Sequence, residues 1–440
     1  MVRAKYSKSF TFLIILTAGL ILISGCGKNN PTAPAGTPAT VEGRVNGNGG
    51  YQRMAKSSAV SGIGGAMVLL AEIQVDGSLQ TVSSGSITTD ADGKFALETN
   101  LDGVKNLVVV ASKDSEKWEA VVTSEVKSGS VVYSQPLNDE TTSETEIYLT
   151  AKANGDNIIG YDEIAAYIDS AIAAQIKTDH SLIGSVEASI QTSVDAQQKA
   201  YIVGGINISS TDEAKIEAAK ADAKASLDRN LYFSSDQTSI DAAFNAYNKD
   251  ILNAYLNAGV SAVTLVKVLE ISQCAFVNYV DHSAINLKAK FELNQNSAER
   301  KSELLNLAVQ SEFSENAGSQ DQLNGLINAG SRLISAVEEA SDTAEINAAF
   351  NAYRSDLSDV LTVTLGLDPG TFSALQSIVT DLKSSLYTSI GTTSSADAIV
   401  AAYISFYSGV SNAVTGSVNS PDSSKAKLIA DAFIMLNTEF

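Results

Sequence analysis

Over residues 40–152 apolar and polar positions alternate in short runs rich in Val, Ile, Thr and Tyr: ATVEGRV, AMVLLAEIQV, SLQTVSSGSITT, KFALET, NLVVVAS, WEAVVTSEV, SVVYSQPL and TEIYLTA. Gly, Asp, Asn and Ser separate the runs. A period of two broken by turn residues marks half-buried strands, and six to eight of them predict an antiparallel β-sandwich. Beyond Lys152 the period changes to about 3.6 residues, with apolar positions at i, i+3, i+4 and i+7, and this persists over residues 153–440. The chain therefore reads as an α+β multidomain protein: a sandwich followed by about ten helices, arranged as an all-α bundle or an array of αα-hairpins.

A repeat supports the hairpin array. IDAAFNAYNKDI at 240–251 returns as INAAFNAYRSDL at 346–357 and more loosely as IVAAYISFYSGV at 399–410. The offsets are 106 and 53, and Leu227, Leu333 and Leu386 each stand 16 residues before the second alanine of the motif. A duplicated two-helix unit of about 53 residues follows, each hairpin burying a face against its neighbours. Residues 293–304 carry no such motif, so one unit is degenerate or an insertion. A fainter relative, EIAAYIDSAI at 163–172, is expected to open the helical region. Ser210-Thr211-Asp212-Glu213 is read as a capping box. Asp368-Pro369 and Ser420-Pro421 each place a cap before a proline suited to the first helical position.

The first 26 residues have a different texture. Arg3, Lys5 and Lys8 precede an apolar run over 10–23, and the run closes on Ile23-Ser24-Gly25-Cys26. That run is too short for a hydrocarbon core, which asks for about 20 apolar residues. A branched apolar residue, two small residues and cysteine resemble the lipobox of bacterial lipoprotein signal peptides. The resemblance implies a signal peptide over 1–25, cleavage between Gly25 and Cys26, and lipidation of the Cys26 thiol. Two or three acyl chains, at about 0.8 kcal/mol per buried methylene, hold a soluble body at a membrane. Gly27 is not the aspartate associated with inner-membrane retention, so in a host with two membranes the outer one is favoured. Residues 26–39 hold three of the six prolines among small polar residues and read as a flexible tether.

Charge narrows the partners. The net charge is −20, and removing 1–25 leaves 27 basic against 50 acidic residues. Phosphate binding needs clustered Lys and Arg, so nucleic acid is excluded as a partner. With Cys26 lipidated, Cys274 is the one remaining thiol and no intramolecular disulfide forms. Cys274 stands in an apolar helical stretch and is read as a small buried hydrophobe.

Within the strand region, Val41-Glu42-Gly43-Arg44-Val45, Gly64-Gly65-Ala66-Met67-Val68 and Thr89-Asp90-Ala91-Asp92-Gly93-Lys94-Phe95 resemble, in order, three words of the carboxypeptidase regulatory-like family. The resemblance covers about 110 of the 440 residues and implies a transthyretin-like Greek-key sandwich. An insert at 46–61 and the lack of a proline before Gly65-Ala66 depart from the pattern. Asp90 to Gly93 is turn chemistry: Asp caps the local backbone and Gly takes positive φ.

No catalytic constellation emerges. His180 and His282 fit no zinc-ligand spacing, and nucleophile elbows and phosphate-cradling loops are missing. No catalytic, cofactor-binding or metal residues are therefore assigned and no cofactor is implied. Residues 152–163, KANGDNIIGYDE, align Asn154, Asp156, Asn157, Ile159 and Glu163 with a calcium loop, but Lys152 occupies the position of the first aspartate. They are read as a strand-to-helix connection. Phe244/Tyr247, Phe350/Tyr353 and Tyr403/Phe406 lie three apart on one helical face and are assigned to hairpin packing. Trp118 is expected at a half-buried strand position. The reading that results is a lipid-anchored envelope lipoprotein acting as a non-enzymatic binding or structural module for an envelope protein. The alternative is a glycan- or polymer-binding surface lipoprotein, and after it an accessory subunit of an envelope enzyme or transporter.

Overall fold

Nine strands come first and thirteen helices follow among the described residues of the computed structural model. Those residues are 37–47, 62–83, 85–155, 159–204, 208–282, 295–313, 319–340, 342–418 and 423–438. Strands β1 (Ala39–Gly47), β5 (Lys94–Thr99), β8 (Val131–Tyr133) and β9 (Leu137–Asn138) form one sheet, in the order β5-β1-β8 with β9 also on β1. The second sheet has the order β3-β2-β6-β7, built from β2 (Met67–Ile73), β3 (Leu79–Thr81), β6 (Leu107–Lys113) and β7 (Glu116–Val122), with β4 (Ile87–Thr88) also on β2. The two sheets face each other across Val41, Phe95, Leu70, Val109 and Trp118.

Most pairings are antiparallel, as the turn spacing predicts. The exceptions are β8 and β9, which run parallel to β1. Pro136, lacking a donor, separates the two short strands where the sequence suggested a single run. The turn before β5 forms as expected: Asp90 Oδ1 accepts from the amides of Asp92 (2.9 Å) and Lys94 (2.8 Å), and Gly93 takes φ +76°. Gly62 is required by closeness, since a Cβ there would stand 1.7 Å from the Asp92 carbonyl oxygen. Of the insert at 46–61, residues 48–61 lie outside the described residues.

The strand region ends earlier than its composition suggests. TEIYLTA, expected as a last strand, belongs to helix α1 (Asp139–Ala153). Asn138 caps it: its side chain accepts from the Thr141 amide at 2.9 Å, and Thr141 Oγ1 accepts from the Asn138 amide at 3.0 Å. The β-branched threonines fit a helix because their hydroxyls bond back one turn, Thr145 to Thr141 O (2.7 Å) and Thr150 to Glu146 O (2.8 Å).

Next come α2 (Tyr161–Ala165), α3 (Ser170–Thr178), α4 (Leu182–Val203), α5 (Ser210–Phe233), α6 (Gln237–Asn257) and α7 (Ala262–His282). They are followed by α8 (Gln295–Phe313), α9 (Gln320–Glu339), α10 (Thr343–Thr364), α11 (Pro369–Ile390), α12 (Ala396–Ser417) and α13 (Ser423–Asn437). The motif copies fall on α6, α10 and α12, each packed on the helix before it as an αα-hairpin. The pair α7–α8 fills the place of the missing unit, so that unit is degenerate. EIAAYIDSAI does not open the helical region; α1 does, and this segment is split between α2 and α3. The α5 cap is Ser209, which accepts from the Asp212 amide at 3.1 Å, one residue before the expected box. Asp368 caps α11 with Pro369 in its first turn, whereas Ser420-Pro421 lies outside the described residues.

Sandwich and helices meet through β6 and β7. Leu107, Val109 and Ala111 point into the sandwich, while Val108, Val110 and Val121 point the other way and pack against Ile147, Ile164, Ile172 and Phe276. Residues Pro38–Phe440 accordingly form one compact unit. Truncating Ile147, fully buried at this junction, with Ile147→Ala should cost about 2–5 kcal/mol. In urea titration, Trp118 fluorescence from the sandwich and far-UV circular dichroism from the helices should shift together; separate transitions would show two independent bodies.

Candidate functional site

Behind that junction lies a polar seam. Tyr161 and Ile164 turn one face of α2 into the core, which leaves Asp162 and Glu163 toward α5. Four residues apart on α5, Lys220 and Lys224 share a helical face and reach back to them. Lys220 Nζ stands 3.4 Å from Glu163 Oε1 and 3.2 Å from Glu217 Oε1. Lys224 pairs with Asp228, both fully buried, and Asp228 Oδ2 accepts from Thr123 Oγ1 at 3.2 Å. The Lys224 ammonium also lies 5.6 Å from the centre of the Tyr161 ring. The Tyr161 hydroxyl donates to the Glu144 carboxylate on α1.

On the far side of Asp162 and Glu163 is a partly open cavity of about 100 Å³ between α2, α4, α5, α6, α7 and α8. A second space of about 30 Å³ shares Asp162, Ala166, Tyr247 and Arg300 with it and runs on toward Glu140 and Glu144. Four phenols stand among the aliphatic side chains of the lining. Tyr201 and Tyr255 stack at 6.4 Å with planes 13° apart, and the Tyr167 hydroxyl lies 2.5 Å from Ser193 Oγ. Tyr167 itself stacks on Phe276 at 4.1 Å. Burial raises the pKa of Tyr167, Tyr201, Tyr247 and Tyr255, so all four stay protonated and can donate. Burial also raises Asp162, against the pull of Lys220 and Lys224. Lys220 is desolvated, but the carboxylates of Glu163, Asp162 and Glu217 more than offset this and hold it firmly charged.

Arg300 is the exception in this network. It lines both spaces, yet its guanidinium makes no hydrogen bond or ion pair among the described residues. Three residues on, Glu303 has an Oε2 without a hydrogen-bond partner. Burial, with Glu299 and Glu338 nearby, lifts its carboxyl to about 7, while Lys249 and Arg300 pull the other way. Chemically the cavity offers neutral donors, one free cation and aliphatic wall from Val194, Leu252 and Leu269.

Sequence reasoning did not find this site. Tyr247, read with Phe244 as packing, stands at the cavity wall beside Asp162. Phe244, Phe350, Tyr353, Tyr403 and Phe406 are buried in the hairpins. Asp162 and Glu163 were assigned to a loop and cap. A signal did exist: Arg300 lies 53 residues from both Tyr247 and Tyr353, at the repeat position where tyrosine recurs.

The other sequence candidates lie elsewhere. Gly25 and Cys26 are outside the described residues. Trp118 is buried between the sheets at 2% exposure, deeper than the half-buried position expected, and its Nε1 has no hydrogen-bond partner. Cys274 is half-buried against the helical core. His180 sits 3.7 Å from Glu146 Oε1, and the His282 side chain is outside the described residues. Along 152–163, Lys152 lies over the Tyr148 ring, Asn154 donates to Glu187 Oε2 and Glu163 faces Lys220, so these side chains do not converge. Asp156 and Asn157 are outside the described residues, among which no group of three or more His, Cys, Asp or Glu side chains could hold a metal. No family model, curated protein or solved structure matches the chain.

Two measurements check these electrostatics. Lys224→Met leaves Asp228 buried without its partner and should cost about 3–5 kcal/mol in urea unfolding, most of it recovered in Lys224→Met/Asp228→Leu. For Glu303 the folded pKa is raised, so its contribution to stability is complete below the unfolded value and is lost as pH rises through about 7. Glu303→Gln should therefore match the native chain in acid and exceed it in mild alkali, by on the order of 1–3 kcal/mol after allowance for solvent screening.

Proposed function

We propose that this protein is a membrane-anchored envelope lipoprotein whose folded unit is a non-enzymatic binding module. The observation that carries the binding reading is the partly open cavity in which an uncommitted Arg300 faces four neutral phenols. Specific ligand sites combine apolar walls with a few oriented polar groups, and this lining has that composition. Attachment through lipid at Cys26, after cleavage behind Gly25, is the remaining element. By length and composition alone, Ala262–Val280 and Ala396–Ser417 could cross a membrane. Many of their apolar residues, among them Val268, Phe276, Tyr403 and Val410, are core residues of the folded unit, which favours lipid as the anchor. A partner in the envelope, protein or small molecule, suits the acidic exterior better than nucleic acid. In a host with two membranes we assign it to the outer one.

A second reading, glycan binding, is favoured by one surface feature. Tyr133 on β8 and Tyr232 on α5 lie 5.1 Å apart, Phe233 beside them is 59% exposed, and Lys94 covers the Tyr232 ring at 4.9 Å. Aromatic faces flanked by charge suit stacking against sugar rings.

Metabolic palmitate labelling should tag the native chain and not Cys26→Ser, and globomycin should cause the uncleaved form to accumulate. Labelling of Cys26→Ser would remove the anchor. A glycan array should separate the two binding readings: hits that fall by an order of magnitude with Phe233→Ala favour the surface aromatics, and an empty array counts against them.

A further inference from the structure

We infer that the cavity between α2, α4, α5, α6, α7 and α8 binds a small organic monocarboxylate, its carboxylate gripped by the fork of Arg300. This deepens the binding-module reading and rests on it. Three observations set the ligand class. The first is charge. Lys220 is already engaged by Glu163 and Glu217, and Lys224 by Asp228, so Arg300 is the cation left without a partner among the described residues lining the space. One free guanidinium balances one negative charge. Asp162 and Glu163 stand on the same wall and would repel a dianion such as phosphate.

The second observation is the donor set. A planar guanidinium matches a carboxylate with two parallel hydrogen bonds, and the protonated phenol of Tyr255 is placed to donate to its oxygens. The third is size and wall chemistry. About 100 Å³ between Val194, Leu252 and Leu269 suits a few carbons, not a polymer. A short aliphatic or amino acid fits all three constraints.

The test uses the full lipidated chain purified in detergent, with calorimetry and thermal-shift measurements. The probes are acetate through hexanoate, alanine and valine, each paired with its amide, together with inorganic phosphate. We expect at least one monocarboxylate to bind and raise Tm, with its amide weaker by at least about tenfold, as the loss of a charge-assisted pair requires. Phosphate should give no heat. Arg300→Gln should lose the binding, and Arg300→Lys should weaken it by about tenfold because a point charge replaces the fork. Tyr255→Phe, which keeps the ring, should weaken it without changing the preference for acid over amide. If Arg300→Gln fails to fold by circular dichroism, the Lys and Phe variants decide.

Binding of none of the acids, equal binding of acid and amide, preference for phosphate, or undiminished binding by the Arg300 variants would each overturn the inference. With Cys26 labelling intact, any of these outcomes removes the ligand class and leaves the lipoprotein reading standing. Failure of the labelling with carboxylate binding intact would do the reverse.

Discussion

Strand β6 carries apolar side chains on both faces, and the rest of the architecture answers that constraint. In a two-layer sandwich, Val108, Val110 and Val121 would face water, at about 1.5–3 kcal/mol for each such side chain left exposed. Here they pack against helices instead. The layering becomes sheet, sheet, helix, and α1 has to lie flat on the second sheet to complete it. That helix begins at Asp139, directly after β9, so the covering element is the next piece of chain and needs no long connection. The sandwich and the helical array are consequently parts of one body, with a shared core that neither part could bury alone.

The helix chosen for this cover is unusually polar. Glu140, Thr141, Ser143, Glu144 and Thr145 are all buried, and α5 brings Lys224, paired with Asp228, to the small space that Glu140 and Glu144 line. A buried ion pair usually contributes less than well-packed hydrophobes of the same volume, so stability alone gives no reason for this seam. What it supplies is register. Lys224 and Asp228 accept few geometries once desolvated, and Thr123 on the sandwich side fixes the second carboxylate oxygen. Docking of α5 on the sandwich is further set by Arg44, whose guanidinium donates to the carbonyls of Asp92 (3.0 Å) and Ser234 (3.3 Å). Helices held by directional contacts of this kind need not close completely on one another, and the cavity persists in the gap.

Much of this was legible from periodicity, and the exceptions have physical causes. Strand runs such as AMVLLAEIQV and NLVVVAS and the repeated hairpins follow from hydrophobic spacing, because packing enforces it. TEIYLTA misleads because threonine favours strands only where its hydroxyl has no local acceptor. In α1 each such hydroxyl finds the carbonyl one turn back, and the Asn138 cap decides the outcome. NLVVVAS does not announce that both its faces are buried, since a continuous apolar run and an alternating one overlap at this length. The cavity was hidden for a different reason: its residues come from six helices far apart in the chain, and each has an ordinary local explanation. Glu163 looks like a first-turn acid, Lys220 like a solvated charge and Tyr247 like hairpin packing.

The degenerate repeat explains why the cavity at this place carries a cation on its wall. In α10 the repeat position is Tyr353, whose ring is buried in apolar packing and whose hydroxyl has no hydrogen-bond partner. A phenol tolerates that, since leaving one hydroxyl unmet costs on the order of 1–3 kcal/mol. A guanidinium does not, because its charge cannot be removed by losing a proton and its desolvation costs several kcal/mol. Arg300, at the equivalent point of α8, is therefore incompatible with the tight burial that Tyr353 has at 2% exposure. The helices around it have to leave polar space, and Tyr247 on α6, the neighbouring copy of the same position, turns its hydroxyl toward Asp162 and that space. Residue 300 thus stands where Tyr247 and Tyr353 stand in the neighbouring copies of the repeat, and it brings a charge to the cavity wall in place of a phenol.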